Sequence, residues 1–177
     1  MGESIKRLQT KQLIEKAIEA LLHERPFDQV TTVAIVERAG ISRSSFYTHY
    51  RDKYEVIEHY QASIFQQLEY LFNQPTENPQ KSIRNIFQFL NEEPLLARLL
   101  SQNGTRELQL YLRNQLQRLL MQVLQPRLFP DAGDEYETIY GGVYLTHAFF
   151  GVCQLWIERG QQESPDEIAT FLWKMLS

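Results

Sequence analysis

The stretch Thr31-Thr-Val-Ala-Ile-Val-Glu-Arg-Ala-Gly-Ile-Ser-Arg-Ser-Ser-Phe-Tyr-Thr-His-Tyr-Arg-Asp-Lys53 decides the fold of this chain. Ile35, Val36 and Ala39 share the inward side of a short helix that Thr31 can cap. Gly40 follows, where a sharp turn calls for a permissive backbone. Ser42 can cap a second short helix reaching to near Tyr50, with Ile41, Phe46 and Tyr50 as inward anchors. Arg43, Ser44, Ser45 and Thr48 then face outward. A helix end carrying Arg and hydroxyls but no bulky apolar knob suits the major groove of DNA. Arg bridges guanine acceptors there, and Ser or Thr serves either base type.

Outward from this stretch, Pro, Gly and Asn/Asp clusters divide the chain into helical segments, with no strand alternation and no internal repeat. Before it, Ser4 to Glu24 forms a helix whose Ile14, Ala17, Ile18 and Leu21 make one buried face, ended by Pro26. After it, Asp52 caps a fourth helix running to about Phe72. Pro75 to Pro79 break the chain before a fifth helix over 80–90, and Pro94 opens a sixth that stops at Asn103-Gly104. A seventh starts at Thr105 and ends at Pro126 and Pro130; an acidic loop, Asp131 to Glu137, leads to an eighth over 136–159, closed by Gly160. The last begins at Ser164-Pro165-Asp166-Glu167, a capping box with proline at the first helical position. The expectation is an all-α chain of about nine helices. Its DNA-binding domain covers 1–55, and a helical regulatory and dimerisation domain covers 56–177.

The 177 residues are 43% hydrophobic, enough for a real core. The net charge of −4 lies wholly in residues 61–177, which hold nine Lys/Arg and thirteen Asp/Glu; residues 1–60 balance at nine and nine. The acidic excess therefore sits away from the DNA-binding stretch. Cys153 is the only cysteine, so no intrachain disulfide or structural zinc site is expected. The most apolar run, Gly141 to Ile157, is too short and too polar for a membrane span. These features lead us to expect a cytoplasmic protein. His23, His49, His59 and His147 lack metal-ligand spacing, and there is no Gly-rich phosphate loop or nucleophile elbow. No enzyme, metal or cofactor is expected.

The combination of Thr31, Ile35, Ala39-Gly40-Ile41-Ser42, Phe46-Tyr47, Tyr50 and Lys53, with Pro26-Phe27 ahead of it, resembles the N-terminal domain of the TetR/AcrR family of transcriptional regulators over about residues 8–58. Val36, Ser44 and Tyr54 depart from the family pattern, standing where Ala, Gly and Glu are common. The resemblance implies base reading by Arg43, Ser44, Ser45 and Thr48. It implies phosphate contacts by Thr32, aided by the helix dipole, and by Tyr47, His49 and Lys53, with Lys6, Arg7 and Lys11 as further candidates.

It further implies a homodimer formed by the last two long helices. Gly141, Gly142, Leu145, Phe149, Val152 and Trp156 fall on one side of the eighth helix, and Ile168, Phe171, Leu172 and Met175 form the stripe of the ninth. The alternative is that these stripes close the monomer's own core. Two-fold symmetry would set recognition helices about one DNA turn (~34 Å) apart on a near-palindromic operator. A small-molecule inducer would bind among Phe65, Phe87, Tyr111, Tyr144, His147 and Phe150. The same aromatics at helical spacing equally describe packed core, and Cys153 reads as packing. The function expected is a repressor released from double-stranded DNA by an inducer. The competing reading is a coactivator or adaptor whose C-terminal domain binds a protein.

Overall fold

A computed structural model describes residues 2–73, 78–128 and 135–175. Among these, nine α-helices and one short 3-10 turn carry the fold, and no strand is present. The helices are α1 (Gly2–Leu22), α2 (Thr32–Ala39), α3 (Arg43–Tyr47), α4 (Lys53–Asn73), α5 (Pro79–Glu92), α6 (Pro94–Leu100), α7 (Arg106–Leu128), α8 (Glu135–Glu158) and α9 (Pro165–Met175); the 3-10 turn is Phe27–Gln29. The all-α expectation is borne out.

The helix starts follow from side chains that satisfy otherwise orphaned N–H groups. Thr31 Oγ1 accepts from Ala34 N, Ser42 Oγ from Ser45 N, and Asp52 Oδ1 from both Tyr54 and Glu55 N. At α9 the capping box is reciprocal: Glu167 N donates to Ser164 Oγ, and Glu167 Oε2 accepts from Ser164 N at 2.8 Å. The Ser164 hydroxyl, which donates to the same Oε2 at 2.7 Å, and then the Ser164 N–H hold the Glu167 carboxyl below its usual pKa.

Two expected boundaries shift. Helix α7 runs through Pro126 to Leu128, although a proline inside a helix forfeits a backbone bond. Glu135 and Glu137 lie in the first turn of α8 rather than in a loop, where negative charge suits the helix dipole. The rest of the expected acidic loop (131–134), Pro75, Pro130 and Leu176 fall outside the described residues.

The chain forms two compact units, Met1–Gln66 with Pro94–Thr105, and Gln67–Glu93 with Arg106–Ser177. The division differs from a single cut after residue 55, because α6 folds with the N-terminal helices. In the first unit Ile14, Ile18 and Leu22 of α1, Ile35 of α2 and Phe46 of α3 are essentially inaccessible, as are Leu96 and Leu99 of α6. The turn after α6 is tied to α1: Asn103 Nδ2 donates to Leu22 O at 2.9 Å, and Asn103 O accepts from Phe27 N at 2.8 Å. Gly104 is needed in that turn, since a Cβ there would lie 1.8 Å from Leu99 O.

In the second unit α5 packs along α9 and α7 along α8. Arg84 pairs with Asp166, and Gln80 donates to Thr170. Trp156 is fully buried edge-on to Phe87, ring centroids 5.1 Å apart, with Nε1 donating to Glu163 O. A Cβ on Gly142 would meet the Met121 sulfur at 2.4 Å, so this glycine permits the close approach of α8 to α7 within one chain.

Candidate nucleic-acid interface

The recognition segment is built by a short chain of local causes. Gly40, at φ 66°, turns the backbone out of α2, and Ile41 N–H returns to Val36 O at 3.1 Å. Phe46 is wholly inaccessible, with Tyr47 edge-on at 5.5 Å and Tyr50 at 6.0 Å. That anchor fixes the roll of α3. Arg43, Ser44, Tyr47 and Thr48 are consequently exposed, and Ser45 is half-buried. Among the described residues no carboxylate pairs with the Arg43 guanidinium. The Thr48 hydroxyl donates to Ser44 O at 2.9 Å, which leaves its oxygen as an acceptor. Thr32 is half-buried at the first turn of α2.

The orientation of α2 is held from outside by charge. Arg38 binds Glu24 just beyond α1, and Arg25 binds the other oxygen of the same carboxylate at 3.3 Å. The Arg38 hydrogen bond is the main reason the Glu24 carboxyl stays below its ordinary pKa. At the start of α4, Glu55 is held low chiefly by the Arg51 backbone N–H.

Lys53 does not present its charge outward. Its Nζ donates to the carbonyls of Phe27, Asp28 and Val30 at 2.7, 3.1 and 2.8 Å, which uses all three ammonium donors. The side chain is 8% exposed and lies over the rings of Phe27 (4.6 Å) and Tyr54 (5.1 Å). Burial lowers its pKa, and the Asp28 carboxylate works against that. The phosphate contact expected of Lys53 is corrected accordingly: this cation closes the 3-10 turn, leaving no N–H for a phosphate in this arrangement. Lys53 next to Asp52 reads as a surface pair in sequence, and nothing local marks it as internal.

His49 is half-buried, and its Nδ1 is buried without a hydrogen-bond partner. Burial is the largest cause of its lowered pKa, followed by the charges of Arg7 and Lys11. Tyr50, beneath it, has its phenol raised to about 12, mainly by burial.

The residues expected at a dimer contact divide. Leu145, Phe149, Trp156 and Leu172 are buried in the second unit, while Val152 and Ile168 are intermediate. Phe171 and Met175 are 50% and 69% exposed. The glycine-lined side of α8 thus faces its own chain. The opposite side presents Tyr140, Val143, Tyr144 and Leu155 to solvent, with Ala148 and Gly151 between them. The tyrosines at 136, 140 and 144 recur every four residues, a stripe legible in sequence but outweighed by the bulkier Phe and Trp opposite.

The expected ligand residues also divide. Tyr144, 73% exposed, and His147, whose Nδ1 lies 2.9 Å from Val143 O, are on that outer side of α8. Both are exposed there, whereas Leu145 and Phe149 of the same helix are buried. Phe87 and Phe150 are core, Phe65 and Tyr111 half-buried, and Phe65 belongs to the first unit. Arg113 stacks on Phe150 at 4.8 Å, with its Nε buried and unpartnered. Cys153 is buried, its thiol raised to about 12 by that burial, so it packs rather than reacts. A groove of about 360 Å³ between the start of α5 and α9 is lined by Asn78, Gln80, Lys81, Arg84, Asp166 and Ala169, none of them among the six.

No helix among the described residues is long and apolar enough to cross a membrane. Residues 14–60 match the family model for bacterial regulatory proteins of the tetR family, and residues 77–177 match a transcriptional regulator C-terminal region. An uncharacterized HTH-type transcriptional regulator of Bacillus subtilis, YxbF, is 21% identical over 93% of this chain. The chain spans 44% of that protein's length. A TetR transcriptional regulator from Streptococcus agalactiae is similar in structure at TM-score 0.64 and 19% identity, covering 100% of this chain and 98% of that one. NalD of Pseudomonas aeruginosa, the secondary repressor of the MexAB-OprM multidrug efflux pump, is similar at TM-score 0.63 and 18% identity, covering 99% and 96%. At these identities the structural likeness is one of fold.

Proposed function

Because the chain belongs to the TetR family of bacterial transcriptional regulators, we propose that it binds a near-palindromic operator as a homodimer and represses transcription until a small molecule enters its second unit. The observation that carries the DNA-binding half is the exposed row Arg43, Ser44, Tyr47 and Thr48 on a helix whose roll is fixed by buried Phe46. In this reading Arg43, Ser44, Ser45 and Thr48 address base edges, and Thr32, Tyr47 and His49 address phosphates. Lys53 is left out, since its donors are spent on carbonyls.

The dimer rests on the outer side of α8, where Tyr140, Val143, Tyr144 and Leu155 form an apolar stripe on one helix face, with Phe171 and Met175 exposed on α9. Repression parallels what NalD does at its own efflux pump. For the inducer, the supporting group is Arg113, whose buried, unpartnered Nε beside Phe150 calls for an acceptor. A location in the cytoplasm accompanies operator binding, and no enzymatic step is part of this reading.

The test is selection of duplexes from a random pool with purified protein, followed by anisotropy across salt. The expected result is a near-palindromic motif with a steep negative salt slope. Arg43→Ala should relax the preference at one base position, at a cost of about 1–3 kcal/mol on that site. No enriched motif at low salt would overturn the reading.

A further inference from the structure

We propose that duplex binding takes up a proton at His49, which completes a phosphate clamp with Arg7 and Lys11 of α1; this rests on the DNA-binding reading above. The clamp stands on position. The His49 ring lies 6.4 Å from the Tyr50 ring, and Lys11 Nζ lies 5.6 Å from the centroid of that same ring. Arg7 is one turn earlier on α1, four residues before Lys11, and so shares its side. His49 Nδ1 is closed off and has no partner, so an incoming phosphate is met through Nε2.

The charged groups around this spot come from two helices. Arg7, Lys11 and Glu15 belong to α1; Glu55 and His59 belong to α4, and Glu55 is already engaged by Arg51. Burial and the two cations keep the imidazole below the ordinary histidine pKa in the free protein. A phosphate reverses the second of these effects. Its negative charge offsets Arg7 and Lys11 and makes the Nε2–H a charge-assisted donor. The His49 pKa is therefore higher in the complex than in the free protein. Affinity is greatest below the free value, falls as pH rises to the bound value, and levels off above it. Because the contact is to phosphate, the dependence extends to duplexes of any sequence.

The test uses the full chain and a labelled duplex of mixed sequence at low, fixed ionic strength, titrated by anisotropy between about pH 6 and pH 8.5. Affinity should fall roughly 3- to 10-fold across that range, as expected for uptake of up to one proton. His49→Gln should remove this slope, whereas His59→Gln and His23→Gln should keep it. Arg7→Gln with Lys11→Gln should weaken binding at every pH. Histidine NMR of the unaltered protein gives a readout independent of any variant: the His49 resonance should titrate higher with duplex than without. An equal or lower His49 pKa in the complex overturns the proposal, as does a slope that survives His49→Gln. Binding that is tight but independent of pH overturns the clamp alone and leaves the DNA-binding reading standing. No duplex binding at any pH overturns both.

Discussion

Lys53 sets the pattern at the scale of single residues. The family resemblance implies a phosphate contact for Lys53, at the start of the helix after the recognition segment. Its three bonds to Phe27, Asp28 and Val30 place it instead at the closing point of the 3-10 turn. Its effect should then be on stability first. Lys53→Met keeps much of the stem's apolar packing but strands three carbonyls, so the first unit should lose on the order of 2–3 kcal/mol in denaturant unfolding. The salt slope of DNA binding by the remaining folded protein should be unchanged. A slope reduced by about one, with stability intact, would restore the phosphate role. The residues that were legible here are those whose role is local: Thr31, Ser42 and Asp52 cap as their identity and position dictate, and Gly40 takes the positive φ that the turn requires. Lys53 was not, because its partners are 23–26 residues earlier in the chain.

Helices repeat this division between local and distant causes. The start of α9 was readable to the residue, since Ser164, Pro165 and Glu167 satisfy one another over a single turn. Ser164→Ala should cost about 0.5–2 kcal/mol on thermal or denaturant unfolding. The Glu167 carboxyl adds an acid dependence of definite sign. Its folded pKa is depressed, so its contribution is present above the unfolded value and is lost as pH falls through the folded one. Glu167→Gln should therefore flatten the acid limb of the stability curve. The orientation of α8 was the reverse case. Both of its sides are apolar, so periodicity locates a helix but does not say which side faces inward. Bulk favoured the side with Leu145, Phe149 and Trp156 as an interface, whereas Phe87 and Met121, far off in sequence, already cover it. Of the aromatics expected at a ligand site, Tyr144 and His147 lie on the outer side of the same helix, whose inward side its periodicity does not reveal.

For the whole molecule, the side of α8 left outside is where association is to be tested. Tyr144→Glu should shift sedimentation from dimer to monomer while the helical circular dichroism and melting of the unit stay near their starting values. Trp156→Ala should do the opposite, costing about 3–5 kcal/mol of stability through the cavity it leaves against Phe87. A Tyr144→Glu protein that remains dimeric would remove this face from the interface. The number of helices and their order were legible from prolines, glycines and caps. The allocation of helices to units was not, because the place of α6 beside α1 depends on Asn103 reaching Leu22 and on Gly104 lying against Leu99. That allocation has a consequence during synthesis. The unit that carries α2 and α3 is discontinuous, made of Met1–Gln66 and Pro94–Thr105. A nascent chain that has emerged only to residue 66 holds the recognition helix but not its α6 brace. At about 5–20 residues per second, the ribosome leaves it waiting roughly 2–8 s for residue 105. During that interval the α1 surface that α6 will cover is open to chaperones.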